Sequence, residues 1–246
     1  MITATVLTKN SQKTLRECLE ALKVFPEVIV LDSGSTDDTL KIARTFPNVT
    51  IHTTPFLGFG AMHNYASKLA SHDWIFSIDS DEVVTKELAD TVLSTSLNPQ
   101  KVYSIQRANY FNGKQIKWCS GWHPDHVVRL YHRKSTRFSN DLVHEKVIRD
   151  SMEIEQLKGP LLHTPYLEIG DFLEKMQHYS TLFAEQNKGE ISSVFHALVH
   201  SWFAFIKSYI FKLGILGGKE GFIISLYNGH TAFYKYLKLA EKQTHS

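Results

Sequence analysis

The chain has 246 residues, 43% of them hydrophobic and 21% charged, with a formal net charge of +2. That composition excludes a disordered chain and suffices for one sizeable core with a small appendage. A charge so near neutral gives no electrostatic reason to expect nucleic acid as a partner. Cys18 and Cys119 form no CxxC and no Cys/His zinc spacing, so a reduced, cytoplasmic compartment is the expectation. The opening residues, MITATVLTKN, lack a basic start followed by a long apolar stretch, and no signal peptide is expected.

In chain order, ITATVLT (residues 2–8) reads as a buried strand. A helix pattern follows, with Leu15, Cys18, Leu19 and Leu22 spaced i, i+3, i+4, i+7, and Asn10 or Ser11 as its cap. EVIVLD (residues 27–32) is a second strand. STDDTLKIARTF then opens with cap residues and acids and puts Leu40, Ala43 and Phe46 on one helix face. NVTIHT is a third strand, a helix is expected near 62–69, and DWIFSID (residues 73–79) is a fourth strand. This alternation predicts an α/β fold, a mostly parallel sheet with helices on both faces. A helix around 86–97 leads into strand-like runs at 102–107 and 126–132, with a turn at Asn112-Gly113. Beyond about residue 166 the chain reads as helical and aromatic, so the expected division is 1–165 and 166–246.

In such sheets ligands bind beyond the carboxyl ends of the strands. Residues 8–10, 32–35 and 79–81 all lie at predicted strand ends and should meet at one sheet edge. The run IFSIDSDEVV (residues 75–84) ends in Asp79, Asp81 and Glu82. These acids either cap the next helix or hold Mg²⁺ or Mn²⁺, hard cations that take oxygen ligands. In LDSGSTDDT (residues 31–39) Asp32 ends a strand and Gly34 permits a tight turn. That is an ordinary β-turn-α connection, and a carboxylate there can also accept a hydrogen bond from a nucleobase.

Asn10 and Leu15, DSGSTDDT, GFGAMHNYA (residues 58–66) and SIDSDE occur in an order that resembles family 2 glycosyltransferases of the GT-A, Rossmann-like fold. SGWHPDHVVRLYHR (residues 120–133), VHEKV (residues 143–147) and the aromatic end resemble, more narrowly, bacterial lipopolysaccharide inner-core β-glucosyltransferases. The resemblance covers nearly the whole chain. It implies that Thr8 and Asp32 contact the uracil of a UDP-sugar, with Ser33 where many members have a second Asp. It places Asn64 near the ribose and diphosphate, Asp79 on the nucleotide side and Asp81 on the metal, with Asp79 and His163 as further ligands. His63 stands where Arg or Lys is common. Inverting transfer needs a base opposite the leaving group. The resemblance gives that role to Glu145, with Asp141 as second candidate; read alone, Glu145 pairs with a lysine on a surface strand. Read alone, His163 after Leu-Leu is a satisfied core residue.

Trp118 and Trp122 either stack on sugar faces or belong to the core. Asp125 and Arg129 are expected to orient acceptor hydroxyls or phosphates. In SVFHALVHSWFAFIKSYIFKLGIL (residues 193–216), Leu198, Val199, Trp202, Ile206, Tyr209, Ile210 and Leu213 form one helical stripe. Lys207 lies off it, and a central Lys costs about 2.5–3.5 kcal/mol on insertion, which argues against spanning. Between 191 and 240 five lysines face one glutamate, so the expectation is peripheral attachment to an anionic membrane surface, at the inner face of the cytoplasmic membrane. The activity expected is inverting, metal-dependent transfer of a hexose, glucose from UDP-glucose, to a lipid-linked lipopolysaccharide core oligosaccharide. The rivals are transfer to polyprenyl phosphate or another surface polysaccharide, and an inactive membrane-bound carbohydrate-binding module. Nucleotidyl transfer is disfavoured because TKNSQKT has no glycine for a phosphate loop.

Overall fold

The computed structural model of the protein describes residues 1–140 and 145–244, with the backbone alone at 243 and 244. The chain forms two compact units, Met1–Arg107 with His126–His163, and Ala108–Asp125 with Thr164–Ser246.

The first unit runs β1 (Ile2–Thr8), α1 (Leu15–Ala21), β2 (Glu27–Asp32), α2 (Thr39–Ala43), β3 (Val49–Thr53), α3 (Phe59–Leu69), β4 (Trp74–Asp79), β5 (Glu82–Val84) and α4 (Lys86–Ser94). β6 (Lys101–Phe111) leaves it for the second unit, where a hairpin returns through β7 (Lys114–Gln115). β8 (His126–His132), β9 (Glu153–Gln156) and β10 (Leu161–His163) complete the first unit. The strand order is β3-β2-β1-β4-β8-β6-β10-β5. β1, β2, β3 and β4 pair in parallel, and β8 joins β4 antiparallel. The expected α/β sheet is present, with an antiparallel half added to it.

Strand composition explains the layers. A parallel strand covered on both faces must be apolar at successive positions. In β2, Val28 and Val30 face one core with Leu15, Leu19 and Leu88, while Ile29 and Leu31 face the other, where Leu31 meets Met62 and Ala66 of α3. Helices therefore cover both faces. Fully burying one such side chain contributes roughly 1.5–3 kcal/mol.

Local caps differ from expectation. α1 begins after Thr14 with no side-chain cap. Asn10, at φ 50°, instead turns its Oδ1 to accept from the Thr36 amide at 2.8 Å. Ser11 Oγ meets Ser80 Oγ at 2.8 Å. Both residues link neighbouring strand-end loops rather than their own helix. The Asn112-Gly113 turn is present, with both φ positive and Phe111 opposite Lys114.

In the second unit, Phe111, Ile116, Cys119, Trp122, Phe172 and Ile224 form one core. Its helices are α5 (Ile169–Gln186), α6 (Val194–Ile206), continued by a π turn at Lys207–Phe211, and α7 (Gly218–Thr244). The predicted glycine break is real: Leu213 is left-handed at φ 55°, a 3₁₀ turn spans Gly214–Gly217, and Gly218 starts α7 at φ 65°. Val194–Phe211 is long and apolar enough to cross a membrane by length and composition.

Candidate active site

Parallel register brings the predicted strand ends together. Thr8 lies opposite Asp32, and Leu7 opposite Asp79. Asp32 is 1% exposed. Its Oδ2 accepts the Gly34 and Ser35 amides at 2.9 Å each, and its Oδ1 accepts the Ser35 hydroxyl. Gly34, at φ 100°, supplies the backbone this turn needs. The carboxylate thus shapes the first wall of the site. Ser33 donates its amide to the Thr8 carbonyl at 3.0 Å. The Thr8 hydroxyl is buried with no hydrogen-bond partner among the described residues. A buried hydroxyl in that state costs about 1–3 kcal/mol, and a polar ligand at the sheet edge would relieve it.

The acidic knot divides into two parts. Glu82 has a fully buried side chain; its Oε1 accepts from Arg129 at 2.6 Å and Arg107 at 3.2 Å, and its Oε2 from the Asp79 amide at 2.9 Å. Arg129, 6% exposed, also donates to the Asp79 carboxylate. Burial works to raise the Asp79 carboxyl, but the Arg129 guanidinium outweighs it and holds Asp79 below the ordinary carboxylate range. Burial pushes the Glu82 carboxyl up, Arg129 pulls against it, and the Asp79 charge leaves the net shift upward. Two carboxylates and two guanidiniums thus form a neutral cluster centred on the buried Glu82 and Arg129. Arg129 is therefore not an outward acceptor contact: its guanidinium clamps the end of β4 to β5.

Asp81 stands apart. Its carboxylate lies 3.6 Å from His163 Nε2, and the two side chains are 27% and 11% exposed. β10 pairs antiparallel with β5, which sets His163 opposite Glu82 and beside the acidic turn. Asp81 and His163 supply one oxygen and one nitrogen donor in reach of a common ion. That pair fits Mn²⁺ or Mg²⁺, which bind through one or two protein ligands plus substrate phosphate and water. Among the described residues no group of three His, Cys, Asp or Glu could hold a metal alone. Asp79, ion-paired with Arg129, does not complete the set.

The segment carrying Glu145 is anchored on both sides. Phe138 bridges Val147, and the Ser139 amide donates to the Lys146 carbonyl at 2.8 Å. Asn64 donates to the Phe138 carbonyl at 3.0 Å and accepts its amide at 2.9 Å, so its amide group is spent on this segment rather than turned to a ribose. A Cβ at Gly60 would come within 1.8 Å of the Ser139 carbonyl oxygen, so the first turn of α3 carries glycine where the backbones touch. Glu145 is half-buried. Asp141 lies outside the described residues. His63 is buried, 2.9 Å from Ser77 Oγ and stacked on Phe138 at 4.1 Å. Burial above all lowers its pKa to about 4, so at neutral pH it is an uncharged core residue and not a phosphate cation.

In the second unit Trp122 is 6% exposed and stacks on Tyr166 at 5.7 Å. It is a core residue and offers no face to a sugar. Trp118 is exposed, and Asp125 accepts from Asn109 at 2.9 Å. The Asp79–Arg129–Glu82–Arg107 cluster was missed from sequence. Its one signal was two arginines on strand-like runs near an acid excess.

An uncharacterized glycosyltransferase of Rickettsia prowazekii is 28% identical over 98% of this chain and 86% of its own. The lipopolysaccharide core biosynthesis glycosyltransferase LpsC of Rhizobium meliloti is 25% identical over 98% of this chain and 92% of its own. A mannosyltransferase of Pyrobaculum calidifontis, solved with GDP-Man and Mn²⁺, shares the fold at TM-score 0.52 and 17% identity, over 98% of this chain and 85% of its own. The family model "Glycosyl transferase family 2" matches residues 3–152, and the chain belongs to that family of glycosyltransferases.

Proposed function

We propose that the protein is an inverting, metal-dependent hexosyltransferase that moves glucose from UDP-glucose to a lipopolysaccharide inner-core acceptor. The observation that carries this is the alignment of Thr8, Asp32 and the Asp79–Asp81 turn at one sheet edge, with the Thr8 hydroxyl unpartnered. Thr8 would give its hydroxyl to the uracil, with Asp32 and Ser33 holding the turn against the base. Asp81 and His163 would hold Mn²⁺ or Mg²⁺, which supplies positive charge against a departing diphosphate. Arg129 keeps Asp79 and Glu82 ionically satisfied, while Asp81 at the same turn lies beside His163. Glu145 would take the proton of the acceptor hydroxyl as that oxygen bonds to the anomeric carbon. The carbon–phosphate oxygen bond breaks with its electron pair leaving on UDP, and the configuration inverts.

The acceptor assignment draws on LpsC, whose name refers to lipopolysaccharide core biosynthesis. A lipid-linked acceptor suits peripheral attachment at the inner face of the cytoplasmic membrane, with catalysis in the first unit and attachment through the second, which takes in Ala108–Asp125 as well as Thr164–Ser246 and so departs from the division expected at 165. The test is a nucleotide-sugar panel with Mn²⁺ and a truncated lipopolysaccharide acceptor, read by mass spectrometry. UDP-glucose turnover that vanishes in Asp81→Asn is expected. No turnover of any nucleotide sugar, or full turnover in Asp81→Asn, would overturn the assignment.

A further inference from the structure

α6 has two unlike faces. Ala197, fully buried, lies on the packed face, and Ser201 and Phe205 on that face lie against Gly229 of α7. A Cβ at Gly229 would sit 3.2 Å from the Ser201 carbonyl and 3.4 Å from Phe205 Cβ, so the two helices are in close contact. The opposite face is open. Phe195 is 71% exposed, Trp202 69% and Phe203 56%, and the open face continues through Phe211 and Leu216. Burying large apolar groups is the usual state of a monomeric protein, and a contiguous exposed patch of this kind marks an interaction surface.

Charge states what covers it. Residues 191–218 contain Lys207 and Lys212 and no carboxylate. At the end of the patch a pocket of about 230 Å³ is lined by Lys114, Lys117, Trp118 and Leu216, among others. Glu190 and Glu220 border this stretch, and Glu220, the acid nearest Leu216, is ion-paired with Lys114 at 3.4 Å. Apolar groups flanked by Lys117, Lys207 and Lys212 and by an exposed indole match an anionic phospholipid bilayer, acyl chains beneath and phosphates at the rim.

We infer that the second unit docks on an anionic bilayer with α6 lying in the membrane plane. Phe195, Trp202, Phe203, Phe211 and Leu216 enter the acyl boundary, and the pocket of Lys117 and Trp118 receives a lipid phosphate headgroup. The inference rests on the peripheral attachment proposed above and adds its surface, depth and headgroup chemistry. In-plane docking follows from the packing: the other face of α6 is committed to α7, and Lys207, exposed between Phe203 and Phe211 on the open face, extends its stem to the phosphate level.

The test is co-sedimentation of the full chain with vesicles of phosphatidylcholine alone or mixed with phosphatidylglycerol. Binding to the mixed vesicles is expected. Trp202→Glu should abolish it, and Lys117→Glu should weaken it roughly tenfold or more without affecting any binding to neutral vesicles. Circular dichroism of each variant checks that the helices persist. Three results would overturn the inference: no binding to either vesicle, binding unchanged in Trp202→Glu, or resistance to alkaline carbonate extraction, which would mean a spanning helix. A dimer that Trp202→Glu dissociates, with no vesicle binding, would assign the face to a second copy instead. UDP-glucose turnover in solution keeps the two proposals apart. Turnover without vesicle binding sinks the docking alone, and vesicle binding without turnover sinks the transferase reading alone.

Discussion

Arg129→Met tests the clamp beneath the acidic turn. The substitution keeps an unbranched apolar stem and removes the guanidinium shared by Asp79 and Glu82. Glu82 is fully buried and would keep Arg107 at 3.2 Å. Asp79 is 34% exposed at its side chain, so water recovers part of its loss. Breaking a buried pair by removing one partner costs about 3–5 kcal/mol, and this partial compensation points to the lower end, about 3 kcal/mol. For a chain of this size that corresponds to a fall in Tm of roughly 6–12 °C. The pH dependence has a definite sign. The folded-state pKa of Asp79 is depressed, so its stabilisation is present above the unfolded value of about 4 and is lost as pH falls through the folded value. The difference between wild type and Arg129→Met should therefore be full at neutral pH and shrink below about pH 4. Urea titration is the assay, because guanidinium salt would screen the charges being measured. A loss under about 1 kcal/mol at pH 7, or a gap that persists undiminished in acid, would refute the clamp. Adding Glu82→Gln should recover part of the loss, since it removes the carboxylate left most deeply buried.

Other perturbations address single residues. His63 has a folded-state pKa depressed to about 4, so its stabilisation is present above the unfolded value of 6.5 and lost as pH falls from there to about 4. That amounts to on the order of 3 kcal/mol; His63→Asn should flatten the stability–pH curve in this window, measured by urea midpoints. Gly60→Ala drives a Cβ into the Ser139 carbonyl and should shift the segment holding Glu145. Its expected mark, read by steady-state kinetics, is a lower kcat, since Ser139 pairs through its backbone with Lys146, the neighbour of Glu145. Glu145→Gln keeps the shape and removes the carboxylate proposed as the base, and steady-state kinetics should show kcat down by about 10²–10⁴, with donor binding by calorimetry unchanged.

What was legible from the sequence was what local pattern encodes. The near-continuous apolar run of β2 fits a strand buried on both faces, and the shared depth of Thr8, Asp32 and Asp79 followed from strand ends alone. Asn112-Gly113 announced its own turn because few other residues take two positive φ values in succession. What failed was long-range. Trp122 on the same evidence could face a sugar or a core, and only packing against Tyr166 and Phe172, more than forty residues on, decides it. Arg129 is 50 residues from Asp79 and 47 from Glu82, and its pairing depends on β8 lying antiparallel beside β4. No periodicity reports that.

That pairing also explains how three acids fit at the end of a buried strand. If Asp79, Asp81 and Glu82 were equivalent, their mutual repulsion would raise all three pKa values and favour protons over a cation at neutral pH. The structure separates them. Two are neutralised by Arg129 and Arg107, at the cost of burying the charges of Glu82 and Arg129. The third, Asp81, stands beside His163. In the proposed reaction, a cation arriving there with a diphosphate would meet the Asp81 carboxylate instead of a cluster of three. Binding at such a site is tuned to the ion and phosphate together, because the protein charge alone is too small to hold the ion tightly. Titration calorimetry should therefore show weak Mn²⁺ binding to the free protein and markedly tighter binding in the presence of UDP. Equal Mn²⁺ affinity with and without UDP would contradict this division of the acids.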